Sequence, residues 1–333
     1  MKKLIAVMMV VALVMTSIFA NGAAETKAAE KVTINFGIPE AMENPIGVMA
    51  SEFQKIVEEK SNGNITVKVF PSNQLGSPNE MIEAVQLGNQ EMCAVTPAWV
   101  SAFVPQISVL SFPYLFESKE KAYELLDGVV GNELKGYAEK AGIKILGFPE
   151  VGYRQVTNSK RPIEKLEDFQ GIKIRVQGDP VHIAAFKALG ANPVTLNFAE
   201  LYSGLQQKVV EAQENSPTNI YLNKFNEVQA YLSYTNVLYD AWVVAMNNDF
   251  FNKLSPEYQK IITDAMVEVV PLQRKLSAEA DVTYRNKLAE VIPCNEVAPE
   301  EMARMVEAAR SVYPQFTEKL GKELVDKVMA AVK

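Results

Sequence analysis

Residues 152–215 hold most of the side chains in this chain that could grip a small anion. Arg154 and Arg175 stand near the starts of two apolar runs there. A guanidinium is planar and offers its N–H groups as a fork, which matches a carboxylate through two parallel hydrogen bonds. A strand arginine can equally serve at the surface, and Arg154 can equally serve in a structural ion pair. Asn215 carries an amide able to donate to a carboxylate or accept from a hydroxyl. Phe198 is a possible apolar wall or a core residue. Motifs for bond-making chemistry do not stand out: there is no G-x-S-x-G elbow, H-E-x-x-H, P-loop or G-x-G-x-x-G. The single histidine, His182, lies in a helical pattern and reads as a partly exposed helix residue. No cofactor and no metal site is expected.

The elements that position these residues follow from periodicity and capping. Ile172, Ile174 and Val176 alternate with Lys173, Arg175 and Gln177, so 172–177 reads as a strand with Arg175 on the face opposite its apolar set. A helix follows at once, with Asp179 as N-cap, Pro180 in the first position and Gly190 just past the end. Asn197 reads as the cap of a further helix that opens on Phe198, with Glu200 completing a box-like pattern. Upstream, 32–38 and 65–70 alternate as strands. Asn44-Pro45 and Ser77-Pro-Asn-Glu80 each open a helix after them. Strand, helix, strand, helix predicts parallel pairing in a layered α/β domain. Residues 91–95 read as a short buried strand, which puts Thr96 and Trp99 at its carboxyl end, where open α/β sheets gather ligands. Glu40, Gln177 and Asp240 also fall near expected strand ends. Downstream, 219–230 reads as a short helix, 231–246 as a long β-rich run, and 255–287 as a helix kinked at Pro271. A C-terminal helical stretch runs from Pro299 and is interrupted at Pro314.

Seven landmarks occur in order: Gly-Tyr-Arg at 152–154, Ser-Lys-Arg-Pro-Ile at 159–163, Asp168 ahead of Gly-Ile-Lys-Ile-Arg-Val at 171–176, Gly-Ala-Asn-Pro at 190–193, Asn-Phe-Ala-Glu-Leu-Tyr at 197–202, Leu-Gln-Gln at 205–207 and Gln-Glu-Asn at 213–215. With these the chain resembles the solute-binding proteins of tripartite (TRAP) transporters, the DctP-like family, over everything after its leader. The resemblance implies an α/β, two-lobed periplasmic-binding-protein-like (Venus flytrap) fold with chain crossovers and a long helix spanning the lobes. It implies lobe I from 31–152 and 240–280, and lobe II from 153–239 and 281–333 with the C-terminal helices. In similar proteins the arginine of the Lys-Ile-Arg-Val strand clamps the ligand carboxylate, which gives that role to Arg175. The residues matching Arg154, Asn215 and Phe198 also face the ligand. Glu40, Thr96, Trp99, Gln177 and Asp240 are then candidates for the variable side of the pocket. The implied activity is capture of a small organic carboxylate, a sugar acid or C4-type dicarboxylate, by hinged closure, with delivery to TRAP membrane subunits. Glu40, Gln177 and Asp240 suit hydroxyls, while a second carboxylate would want another cation. The alternatives are a periplasmic sensor feeding a receptor, or a secreted enzyme.

The N-terminus fits an exported protein. Lys2 and Lys3 precede an 11-residue apolar run at 4–14, and Ala20, Ala23 and Ala24 offer cleavage sites, so 1–24 reads as a signal peptide. No cysteine stands nearby for lipidation, and no later run reaches membrane-spanning length, so direct membrane insertion of the mature protein is not expected. The formal charge is −7, or −9 without Lys2 and Lys3, which argues against nucleic acid as a partner. Cys93 and Cys294 lack metal spacing and read as two buried free thiols.

Overall fold

In the computed structural model, residues 31–332 are described, so the expected leader at 1–24 lies outside the described residues. The runs at 32–38, 65–70, 91–95, 172–177 and 231–246 become strands at the expected places, among eleven strands in the described residues. They are β1 (Val32–Gly37), β2 (Ile65–Phe70), β3 (Met92–Val95), β4 (Ile143–Gly147), β5 (Glu150–Asn158) and β6 (Lys173–Val176). Next come β7 (Asn192–Thr195), β8 (Ala212–Asn215), β9 (Tyr231–Ala241), β10 (Val243–Asn247) and β11 (Cys294–Glu296). They form two mixed sheets, one ordered β2-β1-β3-β10-β4 and the other β11-β9-β5-β8-β6-β7. β1 and β3 run parallel, as do β8, β6 and β7, whereas β10 and β5 run against their neighbours.

Helices cover both sheets. Helix Pro45–Lys60 is capped by Asn44, whose Oδ1 accepts from Ile46 N. Helix Pro78–Leu87 carries the expected capping box, with Ser77 N donating to Glu80 Oε2 at 2.7 Å. Helix Pro180–Ala188 is capped by Asp179, which accepts from the Val181 and His182 amides. Asp179 also accepts from the Ser108 hydroxyl, so the cap is bound to the first-sheet side as well.

The chain passes from the first sheet to the second between β4 and β5 and returns between β9 and β10. The two crossings touch: Trp242 N donates to Pro149 O at 2.8 Å. The helix Pro256–Val291 lies against them. It runs 36 residues, about 54 Å at 1.5 Å per residue. It packs on helix Pro45–Lys60 and on helix Pro217–Leu222. Pro271 sits inside this one continuous helix. Just beyond it, Gln273 bonds both the N–H and the C=O of Glu150, at 2.7 and 2.8 Å. Arg274 Nη2 donates to Phe148 O, and its Nη1 pairs with Asp127.

Several expectations change. The helix expected at 219–230 is instead Pro217–Leu222, capped by Ser216, and it ends before Lys224 turns left-handed at φ 59°. Asn197 makes no side-chain cap bond; a 3-10 turn at Phe198–Glu200 precedes helix Leu201–Gln206. Strands β5, β7, β8 and β11 arise where the sequence predicts none. The cysteines are both free, but only Cys93 is buried, with Cys294 half-buried at β11. After β11 the chain divides: helix Pro299–Arg310 gives Met305 and Ala309 to the core of the second sheet, while Phe316, Leu320 and Val325 join that of the first.

Candidate functional site

Four strands, β1 and β3 parallel in one sheet and β6 and β8 parallel in the other, direct their carboxyl ends toward one small cavity. Ligand sites of α/β sheets gather at such ends. Glu40 follows β1, Thr96 stands at the N-cap position of the short helix after β3 without a side-chain capping bond, and Trp99 lies one turn on. From the other sheet come Gln177 directly after β6, Asn215 at the end of β8, and Phe198 on the turn after β7. Arg154 enters from β5. Four lining residues are not among those the sequence singles out: Asn219, Trp242, Pro39 and Pro78. Asn219 falls inside the helix expected at 219–230, where nothing marks it as a lining residue. Trp242 faces the cavity only because the strand run breaks at the crossing.

Arg175 and Asp240 do not line the cavity itself. Arg175 pairs in register with Gln213 of β8, so alternation places Arg175, Gln177, Gln213 and Asn215 on one face of the sheet. Ile172, Ile174 and Val176 point into the core behind it. Arg175 is fully buried, and its Nε donates to Leu196 O at 2.9 Å. Its Nη1 and Nη2 have no hydrogen-bond partner. Burial pulls its pKa down to about 10, with the Glu214 carboxylate opposing that and the charge of Arg154 adding to it. It therefore stays cationic at neutral pH.

Arg154 is buried but committed. It donates to both carboxylate oxygens and the carbonyl of Glu214, and its Nη1 donates to Asp240 Oδ2 at 2.9 Å. Four of its five N–H groups are thus used inside the protein. Burial works against its charge, but the Glu214 and Asp240 carboxylates raise its pKa overall. Asp240 stands behind Arg154; burial pushes it up to about 6 against the pull of that arginine. Glu214 is held at about 2 despite burial by Arg154 and His182. His182 is not the partly exposed residue expected. It is 1 % exposed, because its helix packs on the second-sheet core with Phe186 and on the first-sheet core with Val181. Its Nε2 lies 3.5 Å from Glu214 Oε1.

A chain of amides orients Asn215. Asn44 Nδ2 donates to Asn219 Oδ1 at 2.8 Å, and Asn219 Nδ2 donates to Asn215 Oδ1 at 3.1 Å. The Ser216 amide also donates to that oxygen, leaving the Nδ2 group of Asn215 as the spare donor. Across the cavity, Asn223 Nδ2 donates to Glu40 Oε2 at 2.9 Å, and Gln177 Nε2 donates to Thr96 Oγ1 at 2.9 Å. Burial pushes Glu40 up to about 7, opposed by the Asn223 bond and by Arg154. Phe198 packs edge-on against Phe225. Among the described residues no cluster of three or more His, Cys, Asp or Glu side chains could hold a metal ion, and no helix is long and apolar enough to cross a membrane.

The sequence profile of bacterial extracellular solute-binding protein family 7, DctP, matches residues 36–320. The 2,3-diketo-L-gulonate-binding periplasmic protein of Escherichia coli is 35% identical over 254 residues, covering 76% of this chain and 77% of its own. Among solved structures, the sugar acid binding protein of Advenella mimigardefordensis in complex with galactonate superposes with a TM-score of 0.89 at 32% identity, over 92% of this chain and 99% of that one. A TRAP periplasmic solute-binding protein of Sulfurospirillum deleyianum with bound succinate gives 0.86 at 34% identity, over 91% and 99%. Over this span the chain shares the two-lobed fold of these proteins, and it belongs to the DctP family of bacterial extracellular solute-binding proteins.

Proposed function

We propose that this protein captures a small organic carboxylate, without transforming it, and presents it to TRAP membrane subunits from the periplasm. The observation that carries the reading is Arg175: a fully buried guanidinium, pinned through Nε, with both terminal nitrogens unpartnered. A buried charge without a partner is costly, and a carboxylate filling the open side of the fork removes that cost with two charge-assisted hydrogen bonds. The spare Asn215 donor and the remaining Nη1 hydrogen of Arg154 add to the same anion site. Trp99, Trp242 and Phe198 supply apolar walls. The ligands named for the three relatives are all carboxylates, which supports the class.

The proposed lobes are 31–152 with 240–280 and 153–239 with 281–312, the last two helices lying on lobe I. Hinged motion at the paired crossings opens and closes the cleft. The ligand shifts that balance only by its differential affinity for the closed form. Arg175→Ala removes two bonds of about 1.5–3 kcal/mol each, so affinity should fall about a hundredfold or more. Arg175→Lys should rescue little, because an ammonium keeps the charge and loses the fork. Calorimetry against a panel of sugar acids and dicarboxylates measures this; unchanged affinity in Arg175→Ala would overturn the assignment.

A further inference from the structure

The end of the cavity beside Glu40 has a chemical character of its own. Glu40 Oε2 is taken by Asn223, whose Nδ2 is in turn fixed on Asn219 O at 3.1 Å. Glu40 Oε1 has no hydrogen-bond partner among the described residues. Gln177 gives its Nε2 to Thr96, and its buried Oε1 is likewise unpartnered. Both free oxygens accept and neither donates. Thr96, whose oxygen already accepts from Gln177, keeps one hydroxyl proton. No cation stands among the residues that reach the cavity from the β1 and β3 ends.

We propose that Glu40 sets ligand selectivity: it makes the far end of the cleft a seat for hydroxyl groups and bars a second carboxylate. This rests on the carboxylate-capture reading above and narrows it to hydroxylated monocarboxylates. One hydroxyl donates to Glu40 or Gln177 and accepts from Thr96, and two neighbouring hydroxyls satisfy both free oxygens. A second carboxylate can only accept; it would leave both free oxygens unpaired and would set a like charge against the Glu40 carboxylate in a site of low dielectric. Rejecting a ligand by unpaired groups and like charge is a general route to specificity.

The charged groups behind the cavity come from β5, β6, β8, β9 and the helix after β6. Arg154 on β5 acts on Glu40 directly, and that guanidinium is already bound by Glu214 on β8 and Asp240 on β9. His182, on the helix after β6, sits behind Glu214, and Arg175 on β6 belongs to the opposite end of the ligand. Because burial pushes Glu40 up to about 7, selectivity should also depend on pH: protonation removes the repelling charge and turns one acceptor into a donor.

Two four-carbon acids test this, D-erythronate with its terminal hydroxyl and succinate with its second carboxylate. By calorimetry at pH 8 the native protein should bind D-erythronate at least about tenfold more tightly than succinate. Glu40→Gln keeps the shape and removes the charge, so the ratio should fall about tenfold, mainly through tighter succinate binding. Lowering the pH from 8 to 6 should narrow the ratio more in the native protein than in Glu40→Gln, and the difference between the two removes the titration of groups they share. The native pH series stands alone if the variant fails to fold. Native preference for succinate, or a ratio unmoved by both substitution and pH while Arg175→Ala abolishes binding, overturns the role of Glu40 alone. Failure of either acid and of galactonate to bind the native protein overturns the carboxylate reading and this one with it.

Discussion

A buried guanidinium with two idle nitrogens weakens the closed conformation when no ligand fills it. Arg175 should therefore behave as a binding residue kept at the expense of stability. Arg175→Met, of similar length and without charge, should raise the unfolding free energy of the ligand-free protein by about 1–4 kcal/mol and abolish carboxylate binding. Denaturant titration at neutral pH checks it; a destabilised variant would mark Arg175 as structural. Part of this residue's role is legible in the sequence, because strict alternation in 172–177 puts Arg175 opposite its apolar neighbours. That Glu214 and Asp240 absorb most of Arg154 is not legible, since three strands distant in sequence bring them together. The burial of His182 escapes the sequence for a related reason. One helix face can be judged from periodicity, but not whether a second core closes over the other face.

At the scale of elements, the caps are the clearest signals and the edges the poorest. Asn44, Ser77 and Asp179 cap where the sequence predicts, because each side chain satisfies amides within three residues of itself. β7 contains Pro193 and β11 is three residues long; both are edge strands, where pairing on one side suffices and sequence preference is weak. The join between the sheets depends on contacts that no local pattern records. Gln273 is completely buried and meets both polar groups of the Glu150 backbone across 123 residues of chain. Gln273→Met should strand that N–H, while the C=O keeps the Ser277 hydroxyl, and cost about 1–3 kcal/mol in stability. Thermal or denaturant unfolding measures it, and a loss under about 0.5 kcal/mol, the usual effect of a neutral surface change, would show that water or the crossing itself replaces these bonds.

For the whole molecule, four side-chain contacts tie first-sheet elements to second-sheet elements across the cleft: Asn44–Asn219, Glu40–Asn223, Thr96–Gln177 and Ser108–Asp179. The described conformation is thus a closed cleft, and opening must break all four. X-ray scattering should show a larger radius of gyration without ligand than with a saturating carboxylate; identical values alongside tight binding would rule out hinged closure. The order of strands in the first sheet carries a further consequence, for the time course of folding. β10 fills the place between β3 and β4, yet the chain reaches it only after all of β5 to β9 has been made. The first 147 residues alone would hold β4 apart from β3 with an empty slot between them and unpaired strand edges on both sides. Pairings across such long sequence separations delay folding, because chain closure must come before the contacts that reward it. The first sheet therefore cannot be completed before β5 to β9 of the second have been made, and until then its unpaired edges are open to other chains.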